Sequence, residues 1–295
     1  MQNRDYLLKL IDAGQNVRVW LAHSTNLVEE AHRRHQTSAT ATAALGRALT
    51  AAVMMGSDLK GDHDLLSLRI NGNGPAGTII TTADRNGHVK GLIGNPQADL
   101  PSRSPGKLAV GDLVGQDGYL EVIKDLGLKQ PFEGKVPLVS GEIAEDLAQY
   151  FMHSEQIPAL ISLGVLVGTD LHVLAAGGLI VQALPDADDA ILEKLENNVL
   201  SLGQISHLLM DNETLEDVAA AIMQGIEYTT IDVMDLDFRC NCNRERLGII
   251  LAGLNEEELR EAAENNKDIE AVCNFCKTVY SFSPEEIGII KSKKP

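Results

Sequence analysis

Four cysteines are the residues of this chain whose type and spacing carry chemistry. Cys240 and Cys242 stand in "FRCNCNRER", and Cys273 and Cys276 stand in "AVCNFCKTVY". No cysteine precedes Cys240. Two close pairs joined by a loop are what a tetrahedral Zn²⁺ site requires, because each pair supplies two thiolates from one turn and the loop brings the pairs together. Cys240, Cys242, Cys273 and Cys276 are therefore the expected ligands, and Zn²⁺ the expected cofactor. C-x-x-C is the usual knuckle spacing, whereas C-x-C is tighter. Arg239, Arg244, Arg246 and Lys277 flank the pairs, and nearby cations favour thiolate over thiol. Four unconnected reduced thiols are the bland competitor; a purely structural zinc ribbon is the more serious one.

Metal binding and oxidation exclude each other at such a site. Zn–S bonds of ~2.3 Å keep tetrahedral sulfurs ~3.8 Å apart, and a disulfide needs them at ~2.05 Å. A bound metal supplies ~10–16 kcal/mol to small zinc modules, comparable to the ~5–15 kcal/mol stability of a whole domain. Loss of the metal is thus expected to unfold the tail. Disulfides replace that support only if they close a long loop. Pairing within each motif closes tiny loops worth ~2 kcal/mol before strain, while Cys240 with Cys273 closes one worth ~4 kcal/mol. Closeness in sequence favours pairing within each motif, but four cysteines allow three connectivities and the residues alone do not choose.

The other chemical motifs read blandly. "GNGPAG" at 72–77 fits G-x-G-x-x-G, yet Pro75 and the β-branched "TIITTA" follow where a phosphate site needs a helix N-terminus, so a hairpin turn is expected. "HRRH" at 32–35 sets two histidines one helical turn apart without acidic or cysteine partners nearby, and a solvated helix face is expected. His153, His172 and His207 are isolated, and Glu142 with Glu145 is expected to solvate a helix. The sequence contains no G-x-S-x-G, no H-E-x-x-H and no P-loop, which removes support for nucleophilic, zincin and NTPase chemistry.

Composition bounds the partners. A formal charge of −17 repels phosphate backbones and anionic lipid, so neither nucleic acid nor membrane is expected. The opening "MQNRDYLLKL" lacks a basic region followed by an apolar one, and no apolar run is long enough to span a bilayer; a cytoplasmic protein is expected. In that reducing setting cysteines point to metal or redox chemistry rather than permanent disulfides. Two alternatives remain open. A zinc-ribbon nucleic-acid-binding protein is encouraged by "KSKKP" and the arginines near Cys242, but charge and an aromatic content of 4 % oppose it. A thiol oxidoreductase using "CNFC" lacks the βαβ setting that such motifs open.

The elements that position the cysteines follow from patterning. A length of 295 residues with 44 % hydrophobic content suggests two domains. "DYLLKLIDAGQNVRVWLAHST" reads as a short helix or turn followed by a strand. Residues 26–59 read as a helical pair with a cap at Thr37-Ser38. Residues 64–93 read as an antiparallel meander, followed by strands at "GYLEVIKDL" and "KVPLVS". A helix near "GEIAEDLAQYFMHSE" and a hairpin about Thr169-Asp170 complete the pattern. The fold class is α+β: an N-terminal mixed α/β core domain with antiparallel sheet over 1–184, a helical linker over 185–231 and a small C-terminal zinc-binding domain over 232–295. Strands are expected to stop at Pro185. Thr214 with Asp217 opens the last linker helix, on which Leu215, Val218, Ala219 and Ile222 form one stripe that must cover something. In the tail, Asn255 with Glu258 and Ser283 with Glu286 mark two further helix starts.

Taken together, these residues resemble the heat-shock protein 33 family of redox-regulated holdase chaperones. "CNCNRER" with "CNFCKTVYSF" carries the resemblance at one end. "LVEEAHRRHQTSATATAALGRALTAAVMMG", "INGNGPAG", "VKGLIGNP", "LVSGEIAEDLAQYF", "SEQIPALISLGV" and "AAGGLIVQALP" carry it through the rest. The resemblance implies an inactive, zinc-bound reduced state. It further implies oxidation to Cys240–Cys242 and Cys273–Cys276 disulfides with release of zinc, unfolding of the linker and an active homodimer. Unfolding client proteins would be bound without ATP. By the same resemblance the stripe Leu215, Val218, Ala219 and Ile222 is the expected client-binding surface.

Overall fold

A polar turn, "DAGQN", interrupts the apolar opening of the chain and folds it back on itself. The Asp12 carboxylate accepts the N–H groups of Gly14, Asn16 and Val17, and strands β1 (Tyr6–Asp12) and β2 (Val17–His23) pair antiparallel across it. The computed structural model describes residues 4–102, 107–212, 214–251, 253 and 268–292. The expected helix or turn before β2 is instead β1. Leu7, Leu8 and Leu10 are all buried, and a strand covered on both faces loses the alternation by which strands are read.

Ser38 accepts the Ala41 N–H and caps α2 (Ala39–Gly56), which follows α1 (Thr25–His35). Small side chains let α2 run between two sheets with nearly every residue buried. The first sheet has the order β10-β1-β2-β9-β8, with β8 (Ala159–Val167), β9 (Val173–Ala183) and β10 (Tyr228–Asp235). The second has the order β11-β5-β4-β3-β6-β7. Its strands are β3 (Leu65–Asn71), β4 (Ile79–Ala83), β5 (His88–Ile93), β6 (Tyr119–Asp125), β7 (Phe132–Pro137) and β11 (Asp237–Phe238). All pairs are antiparallel except β11 with β5. The expected meander and hairpin are present.

"GNGPAG" is the turn between β3 and β4. Its backbone docks on the end of α3 (Val110–Val114), with Gly74 N–H to Val114 O at 3.0 Å and Ala76 N–H to Leu113 O at 2.9 Å. A Cβ at Gly72 would meet Gly115 O at 2.2 Å, so the glycines answer to close backbone packing and not to a phosphate. The "HRRH" face is less solvated than expected. His35 is buried, and the His32 ring lies 3.1 Å from the Thr37 hydroxyl. Glu142 likewise turns from solvent to Arg47 at 2.7 Å, while Glu145, on α4 (Ala144–Tyr150), is exposed.

Three helices then cover the far face of the first sheet: α5 (Asp189–Leu202), α6 (Ile205–Asp211) and α7 (Leu215–Ile222). The Thr214–Asp217 box forms reciprocally at the start of α7. Leu215, Val218, Ala219 and Ile222 are each at most 2 % exposed, in one cluster with Leu8, Leu10, Val19, Leu21, Leu179 and Val181. The stripe therefore covers the apolar face of β1, β2 and β9. Strands resume after these helices as β10 and β11, contrary to the expected stop at Pro185. The Thr-rich "TTIDV" pairs with the edge of β1. By compactness the chain divides into Met1–Arg239 and Cys240–Pro295, so the helices of 185–231 and both late strands belong to the first unit. No helix among the described residues is long and apolar enough to cross a membrane.

Candidate metal centre

The second unit builds its site from a hairpin and a helix start. β12 (Ile269–Val272) and β13 (Val279–Phe282) pair antiparallel, and Cys273 and Cys276 occupy the turn between them. That turn is closed by Cys273 N–H to Thr278 O at 3.0 Å and Lys277 N–H to Cys273 O at 2.8 Å, with Lys277 at φ 58°. Cys240 and Cys242 come just before α8 (Arg244–Leu251), where Asn243 accepts the Arg246 N–H at 2.8 Å and fixes the helix start. The Ser283–Glu286 box opens α9 (Pro284–Ser292) as expected. The Asn255–Glu258 start lies outside the described residues. Among the described residues Leu251, Phe282 and Ile287 form the buried core of this unit, joined by Leu247, Ile269, Tyr280 and Ile290.

The four sulfurs lie within 4.8 Å of one another. Cys242 and Cys276 are 3.3 Å apart and Cys240 and Cys273 3.8 Å, close to the ~3.8 Å separation of a tetrahedral thiolate set. Cys273 and Cys276 are buried and the other two half-buried. Burial pushes the Cys240 thiol up to about 12, only partly offset by the Cys242 N–H. Burial also raises Cys242, against the Tyr280 hydroxyl. At Cys276 burial is outweighed by the Thr278 hydroxyl and N–H and by the Cys242 and Cys273 thiols, and its value falls to about 6. Burial thus works against charge on Cys240 and Cys242, while the hydrogen bonds at Cys276 favour its thiolate. A soft divalent cation is the group that lets all four deprotonate together. The donor set fits Zn²⁺.

The expected role of the flanking cations is not what depresses Cys276. Arg244 is engaged with Glu286 at 3.0 Å and stacks over the Phe282 ring at 4.4 Å. Arg239 approaches the His88 ring at 3.2 Å. What sequence reasoning missed is Tyr280, whose hydroxyl lies 3.5 Å from Cys242 Sγ and donates to Cys242 O at 3.4 Å. Its signal was available: an aromatic with a polar tip four residues after the knuckle, on the returning strand. The Cys242 contact in turn pushes Tyr280 up to about 12.

Fold and site together define a class: an α+β body with an apolar sheet face capped by three helices, followed by a separate small unit able to hold a metal through four cysteines. The model of the family described as Hsp33 protein matches residues 5–283. The chain belongs to the Hsp33 family. It is similar to the 33 kDa chaperonin of Desulforamulus reducens, with 47 % identity over 96 % of each chain. The Clostridioides difficile 33 kDa chaperonin is 44 % identical over 96 % of this chain and 97 % of its own. The crystal structure of the 33 kDa chaperonin from Thermotoga maritima superposes with a TM-score of 0.90, at 37 % identity and 98 % coverage of both chains.

Proposed function

We propose that the protein is a redox-regulated, ATP-independent holdase that keeps unfolding proteins from aggregating under oxidative stress in the cytoplasm. The observation that carries this reading is the gathering of four sulfurs within 4.8 Å in a unit whose buried core, among the described residues, is Leu251, Phe282 and Ile287. Three such side chains contribute roughly 1.5–3 kcal/mol each, less than the ~10–16 kcal/mol a metal supplies to small zinc modules. In the reduced state Cys240, Cys242, Cys273 and Cys276 hold Zn²⁺. The ion supplies a cross-link between the two halves of the unit.

Oxidation converts the cysteines to Cys240–Cys242 and Cys273–Cys276 disulfides, and zinc leaves. This pairing rests on the family resemblance. In the reduced geometry the closest sulfur contacts described run between motifs, Cys242 to Cys276 and Cys240 to Cys273. With the tail loosened, α5–α7 let go of the sheet. Leu215, Val218, Ala219 and Ile222, together with the face they cover, become apolar surface for unfolded or partly unfolded clients. The active form is a homodimer, and no bond of the client is made or broken. The sequence contains no P-loop, in keeping with binding that needs no nucleotide.

Zinc content, free thiols and suppression of client aggregation measured together, in reduced and oxidised protein, test the reading. Reduced protein should hold one zinc, four thiols and little activity. Oxidised protein should have lost the metal and gained activity, with peptide mapping placing the two disulfides. Zinc retained after oxidation, or equal activity in both states, defeats it. Strongly salt-dependent RNA affinity would favour a zinc-ribbon nucleic-acid binder instead.

A further inference from the structure

Resting on the redox reading above, we propose that Tyr280 is a positioning residue for Cys242: its hydroxyl, donated to the metal-held sulfur, ties the C-x-C arm to the hairpin and slows oxidation at that arm. The geometry is specific. Tyr280 stands on β13, beyond the Cys273–Cys276 knuckle, and its oxygen reaches across to Cys242 Sγ at 3.5 Å and Cys242 O at 3.4 Å. One hydroxyl thus touches both the sulfur and the backbone of a residue on the other half of the site. A sulfur held by a metal carries no proton, so the O–H is the donor in that contact, its single hydrogen shared between Cys242 Sγ and Cys242 O. The Tyr280 ring packs with the Leu251, Phe282 and Ile287 cluster, which fixes where the hydroxyl points.

The consequence follows from the electron pair that peroxide needs. Cys242 Sγ attacks one oxygen of hydrogen peroxide, the O–O bond breaks, and the departing hydroxide is protonated to water, leaving a sulfenic acid. A second cysteine sulfur then attacks Cys242 Sγ; the S–O bond breaks, the S–S bond forms, and the oxygen leaves as a second water after protonation. Two electrons pass from the two sulfurs to one peroxide. A hydrogen bond to the first sulfur withdraws density from the lone pair that begins this sequence, and outer hydrogen bonds of this kind commonly change metal affinity or reactivity about tenfold or more.

The test compares full-length wild type with Tyr280→Phe, which removes only the oxygen, and Tyr280→Leu, which also removes the ring. Peroxide-driven zinc release is followed with a chromogenic chelator, the first cysteine oxidised is mapped by mass spectrometry, and the thiolate-to-metal charge-transfer bands are recorded on the Co²⁺-loaded proteins. Tyr280→Phe should release zinc roughly tenfold faster, with early oxidation moved to Cys242 and charge-transfer bands shifted to lower energy. Unchanged rate and unchanged bands in Tyr280→Phe overturn the proposal. So does acceleration in Tyr280→Leu alone, which assigns the residue to packing. If wild type itself keeps its zinc under peroxide, the redox reading fails separately. The Co²⁺ bands then still decide the contact, a shift supporting it and identity overturning it.

Discussion

Single side chains carry most of the unusual chemistry outside the cysteines. Thr81 faces the interior of β4 fully buried, and its hydroxyl finds no hydrogen-bond partner among the described residues. A lone buried hydroxyl costs about 1–3 kcal/mol, and valine has the same shape without it. Thr81→Val should therefore leave stability unchanged or raise it by about 1 kcal/mol, read as an unchanged or higher midpoint in thermal or urea unfolding; a clear loss refutes the assignment. Glu29 on α1 meets the β8–β9 hairpin through the His172 ring at 2.8 Å and the Val173 N–H at 2.9 Å. Burial works against its charge, but Val173 and His172 hold the carboxyl below the usual range. Glu29 in turn raises His172. The carboxylate contributes fully above its unfolded value of ~4.3 and is lost as pH falls through its depressed one. The imidazolium contributes fully below its unfolded value of ~6.5 and is lost as pH rises through its raised one. The latch is thus firmest in the acid-to-neutral window between these limits. An NMR titration of His172 should show a midpoint above the ordinary histidine value, falling back toward it in Glu29→Gln.

Elements differ in how far their sequence announces them. Caps were legible because their chemistry is local: Ser38, the Thr214–Asp217 box and the Ser283–Glu286 box all form as their spacing implies. The meander of β3–β5 was legible because one of its faces is buried and the other is not. β1 was not, being apolar on both faces. β10 was not for the opposite reason: Ile231 and Val233 are about half exposed, and only its register with β1 marks it as a strand. At the metal site the four cysteines were readable from spacing, and Tyr280 from its place just past the knuckle, but its partner Cys242 lies 38 residues away in sequence, and no local pattern names it. The stripe on α7 was legible as a face needing cover, and its burial allows a direct test. Val218→Asp places a carboxylate at a position 1 % exposed, costing on the order of 3 kcal/mol or more. The reduced variant should bind an apolar dye and suppress client aggregation without oxidant. Ala220→Asp, on the exposed face of the same helix, should behave as wild type. A dislodged α7 that gains no client binding would remove this surface from the proposed function.

For the whole molecule, the two compact units differ in what holds them. The first unit has two sheets on a buried central helix and a large apolar cluster under α5–α7, while the second, among the described residues, has a small core about Leu251, Phe282 and Ile287 and a cysteine cluster. Chelation of the metal from reduced protein should therefore strip amide protection from β12 and β13 while β2 and β9 keep theirs, as hydrogen exchange followed by mass spectrometry can resolve. Equal loss in both units would mean that the metal supports the entire fold. The pairing of β1 with β10 has a separate consequence for synthesis. Strand β1 waits for β10, made much later, before its outer edge is covered, and during translation that edge offers bare N–H and C=O groups to any neighbouring chain. A nascent polypeptide halted before Tyr228 would carry this open edge, whereas one released after Arg239 would not. For a protein proposed to rescue others from aggregation, the hazardous interval of its own birth ends only when the residues just ahead of the first cysteine have emerged from the ribosome.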